Sequence, residues 1–343
     1  MNRLILKIIR WFNNLLLNFS ARHLFVRTMG RPNGLMVEPY SGCNLKCPLC
    51  PTGLNTLKRN KVEMNFNEFK KYVGKFIYTL EYITFFNFGE PLLNNELDKF
   101  ISYCSKYGIA TQVSTNGMFL TEEISNRLFA AGLSRLIVSI DTYDEDLYDR
   151  YRIQGNYKKV VDNIKAAIKV KSEMNSHTII VAQYMIMNEN EDINKMKMHG
   201  ASLGVDEVLI KSIGIGTAVE DYSVAIKYLP KNSKLSRYKA GSLKIKDRQQ
   251  NCKYIYKRMV LCSDGSCLPC CRDQRSDFIL GQCDDKTSLK NIWNNKHYIN
   301  FRKTMRDAGI SLEMCERCPE IIKYKLDPWV AKEERKNCEL FRL

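Results

Sequence analysis

The sequence predicts an α/β fold in which a parallel sheet with helical crossovers is followed by a small cysteine-rich domain. Short apolar runs alternate with longer helical patterns from residue 34 to about residue 214. This alternation is typical of parallel strands joined by right-handed crossovers. From residue 252 onward the chain holds nine of its 13 cysteines. A length of 343 residues supports two domains.

The alternating region contains six predicted strands separated by five predicted helices. The strands are predicted at 34–38, 82–87, 109–114, 135–140, 178–187 and 207–212. The helices are predicted at 67–80, 95–107, 121–131, 157–174 and 189–203. In barrels built from such units, the chemistry gathers in the loops that follow the carboxyl ends of the strands. Reactive side chains are therefore expected in those loops.

Residues 1–30 are predicted to form an amphipathic N-terminal helix. Lys7 and Arg10 interrupt the apolar residues between Leu4 and Phe19, so no run reaches the ~20 apolar residues that span a bilayer. The same charges do not fit the apolar core of a signal peptide, and no small-x-small cleavage site follows. An amphipathic helix on an anionic membrane surface fits the pattern. A helix packed on the adjoining domain fits it equally well.

The overall composition is that of a basic globular protein. The net charge is +16, and 45% of the residues are hydrophobic, so disorder is not expected. The positive charge favours anionic partners, such as phosphorylated substrates, nucleic acid or a lipid surface. We see no aromatic-rich RNA-binding module and expect no nucleic-acid partner. Thirteen cysteines are too few and odd in number for a disulfide scaffold.

Three cysteines lie close together directly after the first predicted strand. Cys43, Cys47 and Cys50 are separated by three and then two residues. Three such thiolates can bind three irons of a 4Fe–4S cluster and leave the fourth iron open to a substrate or cofactor. A structural zinc site would close with a fourth ligand, and no His or further Cys lies near this loop. Chance clustering of buried cysteines is the remaining alternative.

Two segments that follow the second and third strands complete a recognisable pattern. The Gly89-Glu90-Pro91 segment and Asn116, together with the cysteine triplet, resemble the radical S-adenosylmethionine (SAM) superfamily. In that superfamily the open iron chelates the amino and carboxylate groups of SAM. The resemblance implies that Gly89, Glu90 and Pro91 hold the SAM amino group and that Asn116 lies at the ribose. Phe88 stands where the family usually has a further Gly.

The fourth strand is followed by two more family-like features. Ser139 and Asp141 resemble a Ser-x-Asp segment, which implies that Ser139 contacts SAM; a helix cap at Asp141 is the alternative. Arg152 stands where relatives carry an Arg that pairs with the SAM carboxylate, and a guanidinium binds carboxylates bidentately. Arg150 is the alternative for that role. Leu49 replaces an aromatic residue near the adenine, so we expect that contact elsewhere.

The superfamily resemblance also implies the domain organisation. We expect the N-terminal helix at 1–30, a partial (β/α)6 radical SAM barrel at 31–215, a linker or substrate loop at 216–251 and a small iron–sulfur domain at 252–343. Residues 261–267 are predicted to form a hairpin with Asp264-Gly265 at its turn.

The C-terminal domain resembles the SPASM and twitch extensions of radical SAM enzymes, which bind auxiliary 4Fe–4S clusters. The twitch pattern has one Cys before the hairpin, one after it and a closing Cys-x-x-Cys. It implies one auxiliary cluster, held by Cys252, Cys270, Cys315 and Cys318; a full SPASM domain, the alternative, would bind two. Cys271 could replace Cys270, and zinc could occupy the same four thiolates. We assign no role to the remaining cysteines of this domain, which are Cys262, Cys267, Cys283 and Cys338.

The resemblance implies a reaction type but not a substrate. SAM would be cleaved to methionine and a 5′-deoxyadenosyl radical, which abstracts hydrogen from the substrate. An auxiliary cluster would accept the remaining electron, as in twitch-bearing dehydrogenases, which gives a two-electron oxidation of a small, carbohydrate-like substrate. The sequence does not identify the catalytic base. The alternatives are modification of a ribosomal peptide or protein side chain and, from another class, a non-catalytic iron–sulfur electron-transfer protein.

The expected partners follow from this chemistry. They are a small-molecule or peptide substrate and an external reductant such as flavodoxin or ferredoxin. Because the first strand begins near Gly34, a peptide-recognition module would be a separate protein. We expect a cytoplasmic location, since cysteine-held clusters and a reducing compartment go together, with peripheral membrane contact through residues 1–27.

Overall fold

One mixed sheet organises the chain, and helices cover it. The computed structural model describes residues 2–246, 252–307 and 312–318. The strands are β1 (Gly34–Val37), β2 (Tyr82–Phe85), β3 (Ala110–Thr115), β4 (Arg135–Asp141), β5 (Ile179–Ile186), β6 (Glu207–Ser212), β7 (Arg258–Leu261), β8 (Ser266–Leu268) and β9 (Gly281–Gln282). The helices are α1 (Arg3–Arg22), α2 (Phe66–Val73), α3 (Leu97–Lys106), α4 (Glu122–Ala130), α5 (Glu145–Tyr151), α6 (Tyr157–Glu173), α7 (Ile193–Leu203), α8 (Tyr222–Ile226), α9 (Leu289–Ile292), α10 (Lys296–Asp307) and α11 (Glu313–Glu316).

The order of the strands in the open sheet is β6-β5-β4-β3-β2-β1-β7-β8-β9. Strands β1 to β6 are parallel to their neighbours and are joined by helical crossovers, which confirms the predicted α/β fold with a partial barrel. Every residue of β4 is buried, as expected of a parallel strand that is covered on both faces. Parallel strands bring their carboxyl ends to one edge of the sheet, so the loops after β1, β2, β3 and β4 meet there.

The C-terminal hairpin continues the barrel sheet. Strand β7 pairs in parallel with β1, with Gly34 opposite Arg258, and β8 pairs antiparallel with β7. The turn between β7 and β8 contains Gly265 at φ +82°, a conformation that suits glycine. The predicted hairpin is therefore confirmed. The predicted barrel and iron–sulfur regions share one sheet.

Two predicted helices differ in detail from the structure, and the barrel region has a further helix that was not predicted. The helix predicted at 67–80 is interrupted at Gly74, which has φ +47°, and a 3₁₀ turn follows. Helix α7 begins at Ile193 because the Asp192 side chain caps it by accepting from Lys195 N at 3.0 Å. Helix α5 was not predicted. Asp144 caps it, so the alternative of a helix cap at Asp141 is wrong.

Helix α1 lies across the amino ends of the central strands. The Arg10 guanidinium donates to the carbonyls of Tyr107 and Gly108, just before β3, at 2.8 and 3.0 Å. Asn14 Nδ2 donates to Glu81 Oε1, just before β2, at 2.7 Å. The helix therefore lies at the end of the sheet opposite the carboxyl ends of the strands. Within the described part of the chain, no helix has the length and apolar character required to cross a membrane.

Candidate functional site

The predicted cysteine triplet forms a loop directly after β1, and several backbone contacts fix this loop. Lys46 N donates to the carbonyl of Ile153, beyond α5, at 3.0 Å. At Gly53 an added Cβ would lie 2.4 Å from the carbonyl oxygen of Cys47, so only glycine allows this close approach. The loop therefore packs against the segment that follows it, at Gly53, and against the chain that follows α5, at Ile153.

The loop after β2 packs tightly against the loop that carries Cys43, Cys47 and Cys50, which we call the thiol loop. An added Cβ at Gly89 would lie 1.6 Å from the carbonyl oxygen of Tyr40, so a side chain cannot be accommodated there. The Glu90 carboxylate is buried and accepts hydrogen bonds from Thr115 Oγ1 at 2.6 Å and from Asn116 N at 2.9 Å. Burial raises the pKa of Glu90, and these donors oppose the rise. Pro91 opens the following 3₁₀ turn.

Asn116 joins the end of β3 to the thiol loop. Its side-chain Nδ2 donates to Asn44 Oδ1 at 2.9 Å and lies 3.8 Å from Cys43 Sγ. The backbone N–H of Leu45 also points at Cys43 Sγ, at 3.4 Å. Burial raises the pKa of the Cys43 thiol to about 12. N–H donors of this kind stabilise a cluster-bound thiolate once metal has displaced its proton.

Arg152 joins the end of β4 to the same loop. Its Nε and Nη2 lie 2.6 and 2.5 Å from Asp141 Oδ2, and its Nη1 lies 3.6 Å from Cys47 Sγ. Burial raises the pKa of the Cys47 thiol, and the nearby Arg152 guanidinium opposes that rise. Arg150, by contrast, pairs with Glu189 at 2.7 Å on the surface, where both side chains are more than half exposed. Of the two candidate arginines, the structure brings only Arg152 to the thiols.

Ser139 is held within the sheet. Its Oγ accepts from Gln183 Nε2, on the neighbouring strand β5, at 3.1 Å. The register between β4 and β5 shifts between Ser139 and Asp141, and Asp141 has φ +63°. A non-glycine residue in this region is uncommon and marks a local constraint. This irregularity accompanies the contact between the Asp141 carboxylate and Arg152.

Two buried polar atoms beside Arg152 can accommodate a polar ligand. Asp141 Oδ1 and the Tyr148 hydroxyl have no hydrogen-bond partner among the described residues. Buried polar atoms are normally paired, so such atoms at one place indicate a group that is still to be bound. A guanidinium, a carboxylate oxygen and a hydroxyl beside a three-thiol loop match the polar groups of SAM and the iron ligands of its cluster. The residues present therefore fit this cofactor pair.

Sequence reasoning missed a buried ion pair behind this site. Glu38, the residue after β1, accepts from Arg59 Nη1 at 2.6 Å and from Nη2 at 2.9 Å, and both side chains are 1% exposed. Its carboxylate also accepts from Phe88 N at 3.3 Å and Ser263 Oγ at 3.3 Å. Arg59 Nε donates to Ser276 Oγ at 2.9 Å. The pair thus connects the thiol loop, the loop after β2 and the C-terminal region. The only sign of this ion pair in the sequence is a charged residue, Glu38, at the end of a strand.

The second predicted set of cysteines comes together in the C-terminal region. Cys252, Cys270, Cys315 and Cys318 all belong to the main core cluster. Burial raises the pKa of the Cys270 thiol, and the charges of Cys271, Cys318 and Cys252 raise it further. Cys271 packs instead in a separate apolar cluster with Met36 and Cys262. Cys270 stays the predicted ligand, with Cys271 as the alternative.

The donor set suits an iron–sulfur cluster. Among the described residues, no three His, Cys, Asp or Glu side chains converge on one point as the ligands of a single ion would. The thiolates of a 4Fe–4S cluster bind different irons and need not converge in that way.

Cys267 and Cys283 face each other with their Sγ atoms 3.9 Å apart. Cys338 lies outside the described residues.

The segment between the two regions touches both cysteine sites. Ile213, Ile215 and Tyr238 pack with Leu49 of the thiol loop and with Tyr151. On the other side, Ile245 N donates to the carbonyl of Glu316 at 3.2 Å, inside the Cys-x-x-Cys turn. Arg317 Nη1 donates to the carbonyl of Val219 at 2.9 Å. The described part of the predicted substrate loop, residues 216–246, therefore has contacts near both cysteine sites.

Two family models match the chain. Residues 37–196 match the radical SAM superfamily, and residues 252–319 match the SPASM model, described as an iron–sulfur cluster-binding domain. Among curated proteins, the uncharacterized protein MJ0804 of Methanocaldococcus jannaschii is 31% identical over 163 residues. That alignment covers 47% of this chain and 51% of the relative, so the chain matches about half of the relative's length.

Solved structures share the fold. BtrN in complex with AdoMet and 2-DOIA has a TM-score of 0.52 at 19% identity, and the match covers 88% of this chain and 98% of that one. SuiB of Streptococcus suis bound to its precursor peptide SuiA has a TM-score of 0.58 at 14% identity, covering 88% and 73%. At these identities the likeness shows the fold alone.

The matched domains define the cofactors. A radical SAM domain binds a 4Fe–4S cluster together with SAM, and a SPASM domain binds auxiliary iron–sulfur clusters. Both cysteine sets described above lie within the matched ranges. The chain therefore contains a radical SAM domain at residues 37–196 and a C-terminal SPASM iron–sulfur cluster-binding domain at residues 252–319.

Proposed function

We propose that this enzyme is an oxidoreductase that removes two electrons from a small substrate by way of hydrogen abstraction. The observation that supports this most is the convergence of three strand ends on the thiol loop. Glu90 and Asn116 reach it beside Cys43, and Arg152 reaches it beside Cys47. These side chains provide hydrogen-bond donors and charges that suit SAM, and they lie beside the thiol loop.

We assign the residues of this place as follows. Cys43, Cys47 and Cys50 hold the cluster, which together with bound SAM supplies a 5′-deoxyadenosyl radical. The Arg152 guanidinium, oriented by Asp141, pairs with the SAM carboxylate. Because protein donors already occupy the Glu90 carboxylate, the backbone around Gly89 is the better candidate for the SAM amino group. Pro91 fixes that backbone, Asn116 lies beside the ribose, and Ser139 is the remaining proposed SAM contact.

The second cysteine site completes the oxidation. Cys252, Cys270, Cys315 and Cys318 hold an auxiliary 4Fe–4S cluster, which supplies an acceptor for the second electron. In the overall balance the substrate would lose one hydrogen atom, which ends in 5′-deoxyadenosine, and then one proton and one electron, with the electron passing to the auxiliary cluster. The linker that contacts both sites is the natural place for the substrate between them.

The linker region favours an anionic substrate. Burial raises the pKa of Tyr238, and the nearby guanidiniums of Arg237, Arg272 and Arg317 oppose the rise. Three guanidiniums thus lie near one buried tyrosine, and one of them, that of Arg317, also pairs with Glu313 at 3.1 Å. A carboxylate or phosphate group on the substrate would be attracted to this region.

Peptide modification is the second candidate. The fold match to SuiB bound to its precursor peptide supports it. A peptide would also supply carboxylates for the positive linker region. Both candidates share the SAM site and the auxiliary cluster and differ only in the substrate. An external reductant such as flavodoxin or ferredoxin serves either one.

We also propose that residues 1–27 bring the enzyme to a lipid surface. Seven large apolar side chains of α1 are exposed, which supports this location. Peripheral contact of this kind requires no membrane-spanning helix.

Two measurements test the proposed function. Reduced, reconstituted enzyme should cleave SAM to 5′-deoxyadenosine, and a variant with Cys43, Cys47 and Cys50 changed to Ala should not. Extracts of the host grown on deuterated medium, separated into small-molecule and peptide fractions, then identify the substrate class. Deuterium should enter 5′-deoxyadenosine with the small-molecule fraction, whereas transfer only from the peptide fraction would favour peptide modification. Absence of SAM cleavage by the parent would overturn the proposal.

A further inference from the structure

Helix α1 turns a continuous apolar face to solvent. Seven large side chains spaced one, three or four residues apart, each between 47% and 64% exposed, form this face, which we call the α1 apolar face: Leu4, Ile5, Ile8, Trp11, Phe12, Leu15 and Phe19. Such spacing puts them on one side of the helix. A surface helix normally buries its apolar side, and an exposed apolar patch of this kind marks a protein or membrane contact.

The opposite side of α1 holds the helix firmly on the protein. Leu6, Leu17 and Ala21 are buried against the domain. Asn13 Nδ2 donates to the carbonyl of Arg31, and Arg31 N donates back to Asn13 Oδ1, both at 2.8 Å. With the anchors of Arg10 and Asn14 already described, the helix has a fixed orientation. The direction in which the α1 apolar face points is therefore set by the fold.

The positive charge in and around α1 favours an anionic partner for the α1 apolar face. Residues 1–37 contain six basic residues and no Asp or Glu. Four of these basic residues are exposed: Arg3, Lys7 and Arg22 on α1, and Arg27 just beyond it. An apolar face with exposed basic residues nearby and an interfacial Trp fits an anionic lipid surface. A second copy of the chain would bring the same positive charges together, which disfavours self-association through this face.

The position of α1 sets the direction of the active site. Its anchors Tyr107, Gly108 and Glu81 precede the amino ends of β3 and β2. The SAM-site residues follow the carboxyl ends of β1 to β4. In parallel strands these two ends face opposite directions. A bilayer in contact with α1 therefore lies at the amino ends of the strands, and the thiol loop lies at the opposite, carboxyl ends.

We propose that the α1 apolar face docks the enzyme on an anionic lipid surface and turns the SAM site away from the bilayer. The substrate is then taken from the aqueous side, as a soluble molecule or peptide, rather than as a chain embedded in the membrane. This inference rests on the proposed lipid contact and on the proposed SAM site. It defines the face that binds and the direction in which the reaction centre opens.

Vesicle flotation of the reconstituted full chain tests the docking step. We expect flotation with phosphatidylcholine vesicles that contain phosphatidylglycerol and little flotation with phosphatidylcholine alone. A variant carrying Ile8→Gln, Phe12→Gln and Leu15→Gln should bind the anionic vesicles at least about tenfold more weakly, because each exposed side chain contributes apolar burial. The matched control changes three exposed apolar residues elsewhere, Met174→Gln, Met198→Gln and Ile279→Gln, and should float like the parent.

Two outcomes overturn docking. One is equal flotation of the α1 variant and the parent. The other is a parent that fails to bind vesicles but forms dimers that the α1 substitutions dissolve. These readouts are independent of the proposed function, because SAM cleavage without vesicles should be the same in the parent and the α1 variant. Loss of SAM cleavage in the parent itself would instead count against the proposed function.

Site-specific quenching tests the orientation. A dye is attached through an azido-phenylalanine either at Lys106, exposed at the end of α3 near the Arg10 anchor, or at Asp146, exposed on α5 beyond the carboxyl end of β4. With a quencher on the lipid headgroups, the dye at position 106 should be quenched and the dye at position 146 should not. Equal quenching, or stronger quenching at 146, overturns the orientation even if docking holds.

Discussion

The Arg152 guanidinium joins the Asp141 carboxylate to the Cys47 thiol. Two of its nitrogens contact Asp141 Oδ2 at 2.6 and 2.5 Å, and the third lies 3.6 Å from Cys47 Sγ. Asp141 is 1% exposed, and among the described residues its carboxylate forms an ion pair with Arg152. Its other oxygen has no hydrogen-bond partner among the described residues. The arrangement fixes a cation beside the thiol loop and leaves a polar atom there for a ligand.

Arg152→Lys should weaken SAM binding about 10- to 100-fold, because lysine cannot reproduce a planar two-pronged contact with a carboxylate. The measurement is equilibrium binding of SAM to the reconstituted enzyme, with iron content determined in parallel. Arg150→Lys is the matched control and should bind SAM like the parent, since Arg150 pairs with Glu189 on the surface. Equal losses in both variants would contradict the assignment of Arg152.

Asp141→Asn should also weaken SAM binding while leaving the iron content unchanged. The substitution removes the charge that orients Arg152, so the guanidinium loses its fixed direction. Asp141→Glu keeps the charge and should recover part of the affinity, which a purely structural role would not predict. If the Asn variant bound SAM as tightly as the parent, Asp141 would not be a positioning residue.

The Glu38–Arg59 pair should be a major source of stability. Removing one partner of a buried ion pair leaves a buried charge without compensation and costs ~3–5 kcal/mol. We therefore expect Glu38→Gln to lower the free energy of unfolding by about that amount, measured by anaerobic urea denaturation. Lys58→Ala removes the neighbouring exposed pair with Asp277 and should cost less than ~1 kcal/mol. Similar costs for both would show that the buried pair contributes no more than a surface one.

His199 should make stability depend on pH in weakly acidic solution. Its ring contacts the hydroxyls of Tyr157 and Tyr184 at 2.9 and 2.6 Å. Burial lowers its pKa, and nearby Lys165 lowers it further. The folded state thus prefers neutral His199, while the unfolded chain takes up a proton below about pH 6.5. The contribution of His199 is complete above that pH and is lost as pH falls through the lower folded value.

We expect His199→Gln to reduce the loss of thermal stability between pH 7.5 and 5.5. The measurement is the melting temperature of parent and variant across that range under anaerobic conditions. His297→Gln, in α10, is a control that lacks these two tyrosine contacts. An identical pH profile in the parent and the His199 variant would refute this role.

The strand ends were predictable because the pattern that produces them is local. Apolar runs, turn residues and the spacing of Cys43, Cys47 and Cys50 are all visible within short windows. The interruption at Gly74 was harder to predict, because an apolar periodicity continues across it and only the positive φ of this residue ends the helix. Helix α5 is too short, at seven residues, to give a clear period.

The long-range contacts were not predictable from one sequence. Glu38 and Arg59 meet because β1 and the returning thiol loop are brought together by the sheet, and neither residue belongs to a motif. The pairing of β7 with β1, which joins the C-terminal hairpin to the barrel sheet, also links distant parts of the chain. Cys270 and Cys271 are adjacent in the sequence, yet Cys270 packs against the main core and Cys271 against the small cluster of Met36 and Cys262.

The central claim is that the chain holds one SAM cluster and one auxiliary cluster in the two cysteine sites. Iron and sulfide analysis with Mössbauer spectroscopy on anaerobically reconstituted enzyme tests it directly. The parent should hold about eight irons, and the Cys43, Cys47 and Cys50 triple Ala variant about four, all in 4Fe–4S form. Changing Cys270 to Ala should remove the auxiliary cluster, whereas changing Cys271 to Ala should not. About twelve irons in the parent, or about four irons together with zinc, would contradict the claim.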